Sequence, residues 1–183
     1  MTTILGISGS LGKGSLNASL LRAAAELMPD SATLDVNGIH GIPLYDADVE
    51  AATGIPPAVA ALKAKLLAAD GLLLVTPEYN NSIPGVFKNA IDWMSRPSAD
   101  IPRHFGGKPV AVIGASPGGF GTILSQDAWL PVLRTLGTRP WFGGRLLVSR
   151  ANTLMGPDGA LTDRGTRDRL AEFLAGFVRF AAH

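Results

Sequence analysis

The stretch Gly71-Leu72-Leu73-Leu74-Val75, followed by Thr76-Pro77-Glu78-Tyr79-Asn80-Asn81-Ser82-Ile83-Pro84-Gly85, decides how this chain is read. The first five residues are apolar without alternation, which predicts a strand buried on both faces, as in a parallel sheet covered by helices on each side. The next ten change character at once. Pro77 lacks an amide hydrogen and Pro84 is suited to opening a helix, so the connection between them is stiff. Between the two prolines stand a carboxylate, a phenol, two carboxamides and a hydroxyl, a set suited to hydrogen bonding and stacking with a flat heteroaromatic ring. In open parallel sheets, ligands bind beyond the carboxyl ends of the strands, which is where this segment falls.

Working outward, further apolar runs predict strands near Thr3–Ser8, Thr33–Val36, Pro109–Gly114 and Arg145–Val148. Helical patterns fill the intervals at Leu16–Met28, Pro56–Ala69, Pro84–Met94, Thr122–Leu136 and Thr162–Ala182. Strands alternating with helices predict an α/β fold, a three-layer doubly wound parallel sheet of five strands. In the flavodoxin-like version the strand order is 2-1-3-4-5, and the switch point lies between the strands ending at Ser8 and Val75. The segments His40–Ala52 and Ser95–Gly107 read as long loops. No repeat, linker or composition break divides the 183 residues, so a single domain is expected.

Composition excludes several classes of chemistry. The chain has no cysteine, which removes disulfides, thiolate metal sites, iron–sulfur clusters and a cysteine nucleophile. A net charge of +1 gives no reason to expect nucleic acid, and no apolar run reaches membrane-spanning length, so a cytoplasmic protein is expected. His40, His104 and His183 are isolated and read as surface residues rather than catalysts or metal ligands. Lys63 and Lys65, and Arg164, Arg167 and Arg169, read as solvated helix faces, and Trp93 and Met94 as packing or subunit contacts rather than flavin contacts.

Two more strand-end loops carry chemistry. Gly9-Ser10-Leu11-Gly12-Lys13-Gly14-Ser15-Leu16-Asn17 opens a helix with glycines, hydroxyls and one cation, the makings of a phosphate cradle. It lacks the Walker ending and the dinucleotide glycine spacing, and by itself it is equally an ordinary turn before a helix capped by Ser15. Ala115-Ser116-Pro117-Gly118-Gly119-Phe120-Gly121-Thr122 follows the fourth strand, with exposed amides at the glycine pair and Phe120 placed to cover a ring.

Taken together, Gly9-Ser10-Leu11 with Ser15-Leu16-Asn17, then Thr76-Pro77-Glu78-Tyr79-Asn80 with Ser82-Ile83-Pro84-Gly85 and Lys88-Asn89-Ala90-Ile91-Asp92-Trp93, then Ala115-Ser116-Pro117-Gly118-Gly119, resemble the NADPH-dependent FMN reductase family. The similarity is strongest to its chromate and quinone reductase branch. The resemblance implies that Ser10, Lys13, Ser15, Leu16 and Asn17 hold the FMN phosphate. It implies that Pro77, Glu78, Tyr79 and Asn80 lie along the isoalloxazine, with Ser116, Gly118 and Gly119 at its other edge. NADPH or NADH is then the co-substrate and a quinone, azo compound, chromate or free flavin the acceptor, in a ping-pong cycle that needs no catalytic side chain, carried by a homodimer or homotetramer. Arg96 and Arg103 flank the loop after the third predicted helix and are candidates for the NADPH 2′-phosphate. The chain departs from the family pattern at Gly12, where Arg is common, and at Asn81, where Tyr or His is expected. The rival readings are a flavodoxin-type electron carrier, whose usual strong acidity this chain lacks, and a flavin-free module on the same fold.

Overall fold

A computed structural model describes all 183 residues. Four parallel strands form the body of the sheet: β1 (Thr2–Ser8), β2 (Ala32–Asn37), β3 (Gly71–Val75) and β4 (Pro109–Ala115). Two short strands, β5 (Arg139–Pro140) and β6 (Leu147–Val148), both pair with β4. The order is β2-β1-β3-β4-β5, the flavodoxin-like arrangement.

Seven helices connect or cover the strands: α1 (Leu16–Glu26), α2 (Ala47–Thr53), α3 (Pro57–Ala68), α4 (Gly85–Met94), α5 (Ile101–His104), α6 (Ile123–Thr135) and α7 (Arg164–Ala181). The apolar run that suggested a doubly buried strand behaves as read. Leu73 and Val75 of β3 join the core beneath α1 and α7, whereas Leu72 and Leu74 join the core beneath α3, α4 and α6. Each such side chain removed from water contributes about 1.5–3 kcal/mol, so β3 anchors both layers at once.

Three expectations are corrected. The fifth strand is not a continuous Arg145–Val148 segment. Arg139–Pro140 continues the sheet beside Pro109–Val110, the chain leaves it at Gly143-Gly144, and Leu147–Val148 returns beside Gly114–Ala115. The glycines permit this detour, because a Cβ on either would strike the Trp141 indole at 2.5–2.7 Å. The long loop His40–Ala52 contains α2, whose start is capped by the Asp46 carboxylate accepting from the Asp48 and Val49 amides. With no buried residue, α2 has no apolar stripe for periodicity to reveal. The loop Ser95–Gly107 likewise contains the short α5.

Lys63 and His104 are not solvated. Lys63 is 7% exposed, reaches the Arg96 carbonyl, and pairs with Asp100 at 2.8 Å. His104 is 6% exposed, with Nδ1 3.0 Å from the Asp100 carbonyl. Trp93 is fully buried as expected and donates from Nε1 to the Pro43 carbonyl at 2.9 Å. Lys65, by contrast, lies at the surface beside Asp35. Asp35 is thereby engaged along the outer strand.

Candidate functional site

The three chemistry-bearing loops leave the sheet side by side, because the first amide of each extends the strand ladder. Gly9 donates to the Val75 carbonyl at 3.0 Å, Thr76 to Ile113 at 2.8 Å, and Ser116 to Val148 at 3.0 Å. Two side chains then tie the loops together. Asn17, 4% exposed in the first turn of α1, donates to the Ala115 carbonyl and accepts from the Ala115 amide, both at 2.9 Å. Glu78 accepts from the Leu124 and Ser125 amides at 2.9 and 3.0 Å, capping α6 from a different loop. Thr122, the residue at the cap position, has φ +66° and makes no side-chain cap of its own. The carboxylate satisfies two otherwise unpaired amides and lies at the positive end of the helix dipole.

In the first loop the glycines have different reasons. A Cβ at Gly9 would overlap the Phe87 ring, so this glycine serves packing. A Cβ at Gly14 would meet nothing and one at Gly12 only Ser10 Oγ at 3.8 Å, so both positions are sterically open, although the Gly12 carbonyl accepts from the Ser15 amide at 3.1 Å. Ser15 caps α1 by accepting from the Ala18 amide at 3.1 Å, and Ser10 Oγ accepts from Gly12 at 3.4 Å. The Leu16 and Asn17 amides begin the helix, where no intrahelical carbonyl reaches them. Lys13 is exposed and outside every ion pair of the molecule. Beneath the loop, Ser8 Oγ is buried and lacks any hydrogen-bond partner, on the strand face that α1 covers. A buried orphan hydroxyl, sterically open glycines, open helix amides and one cation form a donor set that fits a phosphate group.

The second loop is a tight turn. Tyr79 and Ser82 exchange backbone hydrogen bonds at 3.2 and 3.1 Å, while Asn80 and Asn81 have φ +50° and +61°. Two consecutive positive φ values define a type I′ turn, for which Asn is among the best residues. This supplies a physical reason for Asn81 that motif comparison lacked. Thr76 is fully buried, its Oγ1 joined to Ser125 Oγ at 2.8 Å and accepting from Trp129 Nε1 at 3.1 Å. Pro77 is buried, Glu78 is half-buried and Tyr79 is 50% exposed, its phenol outside every hydrogen bond of the molecule. Glu78 itself points its carboxylate into α6; a role beside a ring would fall to its backbone.

In the third loop Gly118 and Gly119 face open space and Ser116 Oγ lies 3.4 Å from the Gly118 carbonyl. Gly114 must lack a side chain because Thr122 and the Thr76 carbonyl occupy that space. Phe120 is 75% exposed. The structure therefore brings Ser10, Lys13, Ser15, Leu16, Asn17, Pro77, Glu78, Tyr79, Asn80, Ser116, Gly118 and Gly119 to one edge of the sheet.

It does not bring Arg96 and Arg103 there. Both come after the end of α4: the Arg96 carbonyl is reached by Lys63 from the middle of α3, and Arg103 belongs to α5, which packs on α3. Arg96 instead stands 5.8 Å over the Tyr45 ring. A hydrogen bond to Glu50 raises the Tyr45 phenol above its ordinary pKa, with partial burial adding to the effect. Sequence reasoning missed the Glu78 cap and the contact of His40 Nε2 with the Leu11 carbonyl at 3.3 Å, which braces the first loop. A carboxylate three residues past a strand, with a Gly-Thr pair at a later helix start, was the available signal for the cap. Three hollows of the surface lie away from these loops, two around Trp141 and one beside α4. No cluster of metal-binding side chains is present.

Comparison with known proteins agrees with this arrangement. The family described as NADPH-dependent FMN reductase matches residues 2–153. An NAD(P)H-dependent FMN reductase of Pseudomonas aeruginosa is 43% identical over 171 residues, covering 93% of this chain and 90% of the relative. A quinone reductase of Escherichia coli K12 is 38% identical over 185 residues, covering 97% and 94%. Among solved structures, the flavoenzyme NAD(P)H:(acceptor) oxidoreductase FerB of Paracoccus denitrificans superposes with a TM-score of 0.87 at 34% identity, covering 100% of this chain and 98% of FerB. With the loops, their order and the sheet in agreement, the chain belongs to the NADPH-dependent FMN reductase family of oxidoreductases.

Proposed function

We propose that the chain is one cytoplasmic flavin-binding unit that passes electrons from NADPH or NADH to a small acceptor, with a quinone the favoured class, working as a homodimer or homotetramer. The observation that carries this reading is the meeting of three amide-rich loops at the switch point, over the buried and unpartnered Ser8 hydroxyl. The α1 amides of Leu16 and Asn17, the hydroxyls of Ser10 and Ser15 and the Lys13 ammonium hold the FMN phosphate. The Asn17 side chain is engaged with Ala115, so Asn17 contributes its backbone amide. The backbone of Pro77, Glu78, Tyr79 and Asn80 borders the isoalloxazine on one side, and Ser116, Gly118 and Gly119 border it on the other. When bound, FMN supplies the two-electron relay between nicotinamide and acceptor.

The protein's part is binding and orientation. The loop edge admits nicotinamide and acceptor in turn, the order of a ping-pong cycle, and Tyr79 and Phe120 offer exposed rings beside it. Names of relatives support the acceptor class, among them a 2-hydroxy-1,4-benzoquinone reductase of a Burkholderia species at 37% identity. Exposed Leu44 and Phe142, at 80% and 74%, support association of copies. No helix is long and apolar enough to cross a membrane.

An anaerobic titration tests the reading. Purified protein loaded with FMN should lose its yellow absorbance on adding NADPH and regain it on adding a quinone. Failure to take up FMN would sink the flavin assignment. Bleaching that occurs only with a protein reductant would instead identify an electron carrier.

A further inference from the structure

A second hollow, of about 570 Å³, lies on the α7 side of the sheet's β5 edge and includes no residue of the three loops. Its walls are Trp141, Gly143, Gly144 and Arg145 on one side, and Arg169, Glu172, Phe173, Gly176 and Arg179 of α7 on the other. The spacing of Arg169, Glu172, Gly176 and Arg179 sets them along one face of α7.

The hollow is shaped by close packing around one indole. A Cβ at Gly143, Gly144 or Gly176 would approach Trp141 to 2.5, 2.7 and 2.8 Å, and Phe173 meets the ring edge-on at 4.8 Å. Trp141 is thus fixed in the wall. None of Arg145, Arg169 and Arg179 takes part in a salt bridge, although Glu172 shares the wall with them. Arg169 has only the Thr166 hydroxyl, at 3.2 Å. In a chain whose whole net charge is +1, three guanidiniums against one carboxylate concentrate positive charge in one recess.

We propose that this recess binds a phosphate-bearing small molecule of nucleotide size, separately from the flavin crevice. Guanidinium forks match phosphate oxygens bidentately, and the volume lies within the range of small-molecule pockets. Glu172 selects against a bare inorganic anion, which it repels, and for a ligand whose hydroxyl or amine donors it can accept.

Calorimetric titration of the FMN-loaded chain with ADP, and separately with inorganic pyrophosphate, tests this. ADP should bind in a saturable, salt-sensitive manner, about tenfold or more tighter than pyrophosphate. Binding should weaken by about tenfold or more in Arg169→Ala/Arg179→Ala, a pair of surface changes that leaves NADPH-driven quinone reduction intact. Absence of ADP binding, equal binding of pyrophosphate, or an unchanged isotherm in the double variant would overturn the proposal. Arg145→Gln gives an independent check from the opposite wall, and it too should weaken ADP.

Discussion

Asn17 and Ala115, 98 residues apart, exchange two hydrogen bonds of 2.9 Å, joining the start of α1 to the end of β4. The carboxamide presents one donor and one acceptor at a fixed separation, matching the carbonyl and amide of a single residue. A pair of loops that sequence places far apart is thereby held at a constant distance.

Replacing Asn17 with Ala leaves both polar groups of Ala115 buried without partners, each costing about 1–3 kcal/mol. Asn17→Ala should therefore lower the unfolding free energy by about 3 kcal/mol, measured by urea denaturation. FMN affinity should fall as well, since the phosphate loop loses its tether. A variant of unchanged stability would show that the clasp is dispensable.

Glu78 caps α6 through the Leu124 and Ser125 amides, and its removal should cost the usual worth of a cap, about 1 kcal/mol. Glu78→Ala should show that loss in thermal denaturation together with weaker FMN retention. Glu78→Gln keeps an acceptor oxygen and should recover most of the stability. Equal losses in the two variants would contradict a capping role.

The first-loop glycines should separate under alanine substitution. Gly9→Ala drives a methyl into the buried Phe87 ring and should destabilise by about 1–3 kcal/mol. Gly14→Ala meets nothing within 4 Å and should leave stability within about 0.5 kcal/mol of the parent. If Gly14→Ala nevertheless weakens FMN binding, close backbone approach to the phosphate is supported.

Acid should act through Asp100 and Asp163. The hydrogen bond from Lys63 holds Asp100 below the ordinary carboxylate pKa, and the Thr166 contacts do the same for Asp163. A carboxyl lowered on folding adds stability that is complete above its unfolded pKa, about 3.9, and is lost as pH falls through the folded value. Urea midpoints should therefore decline below about pH 4, with a shallower decline in Asp100→Asn. An unchanged slope would rule out Asp100 as a contributor.

Much of the fold was legible because its cause is local. The run Gly71–Val75 carries its double burial in five consecutive apolar residues, and Ser15 caps α1 in its own sequence neighbourhood. The fifth strand was not legible, because its break at Gly143-Gly144 depends on where the Trp141 ring lies. Lys63 looked like a surface residue for the same reason, since its partner Asp100 arrives from a separate segment, whereas His104 meets the Asp100 carbonyl one turn earlier in its own segment and is buried by the packing of that segment. Within the site, the left-handed turn at Asn80-Asn81 could have been suspected from the Asn pair, whereas the direction of the Glu78 carboxylate could not.

Apolar periodicity, proline and glycine placement and strand-end loop chemistry were enough to determine the alternating elements and which loops carry chemistry, since these act over a few residues at a time, and the strand order followed from the flavodoxin-like pattern those elements match. Tertiary structure decided which polar groups remain free for a ligand. Asn17 and Glu78 spend their side chains on Ala115 and α6, and the Gly118 carbonyl accepts from the Arg150 amide, while the Lys13 ammonium, the Tyr79 phenol and the Gly118 and Gly119 amides stay open. That division follows from distances between residues remote in sequence, because a hydrogen-bonding group already satisfied within the protein has little left to offer a cofactor.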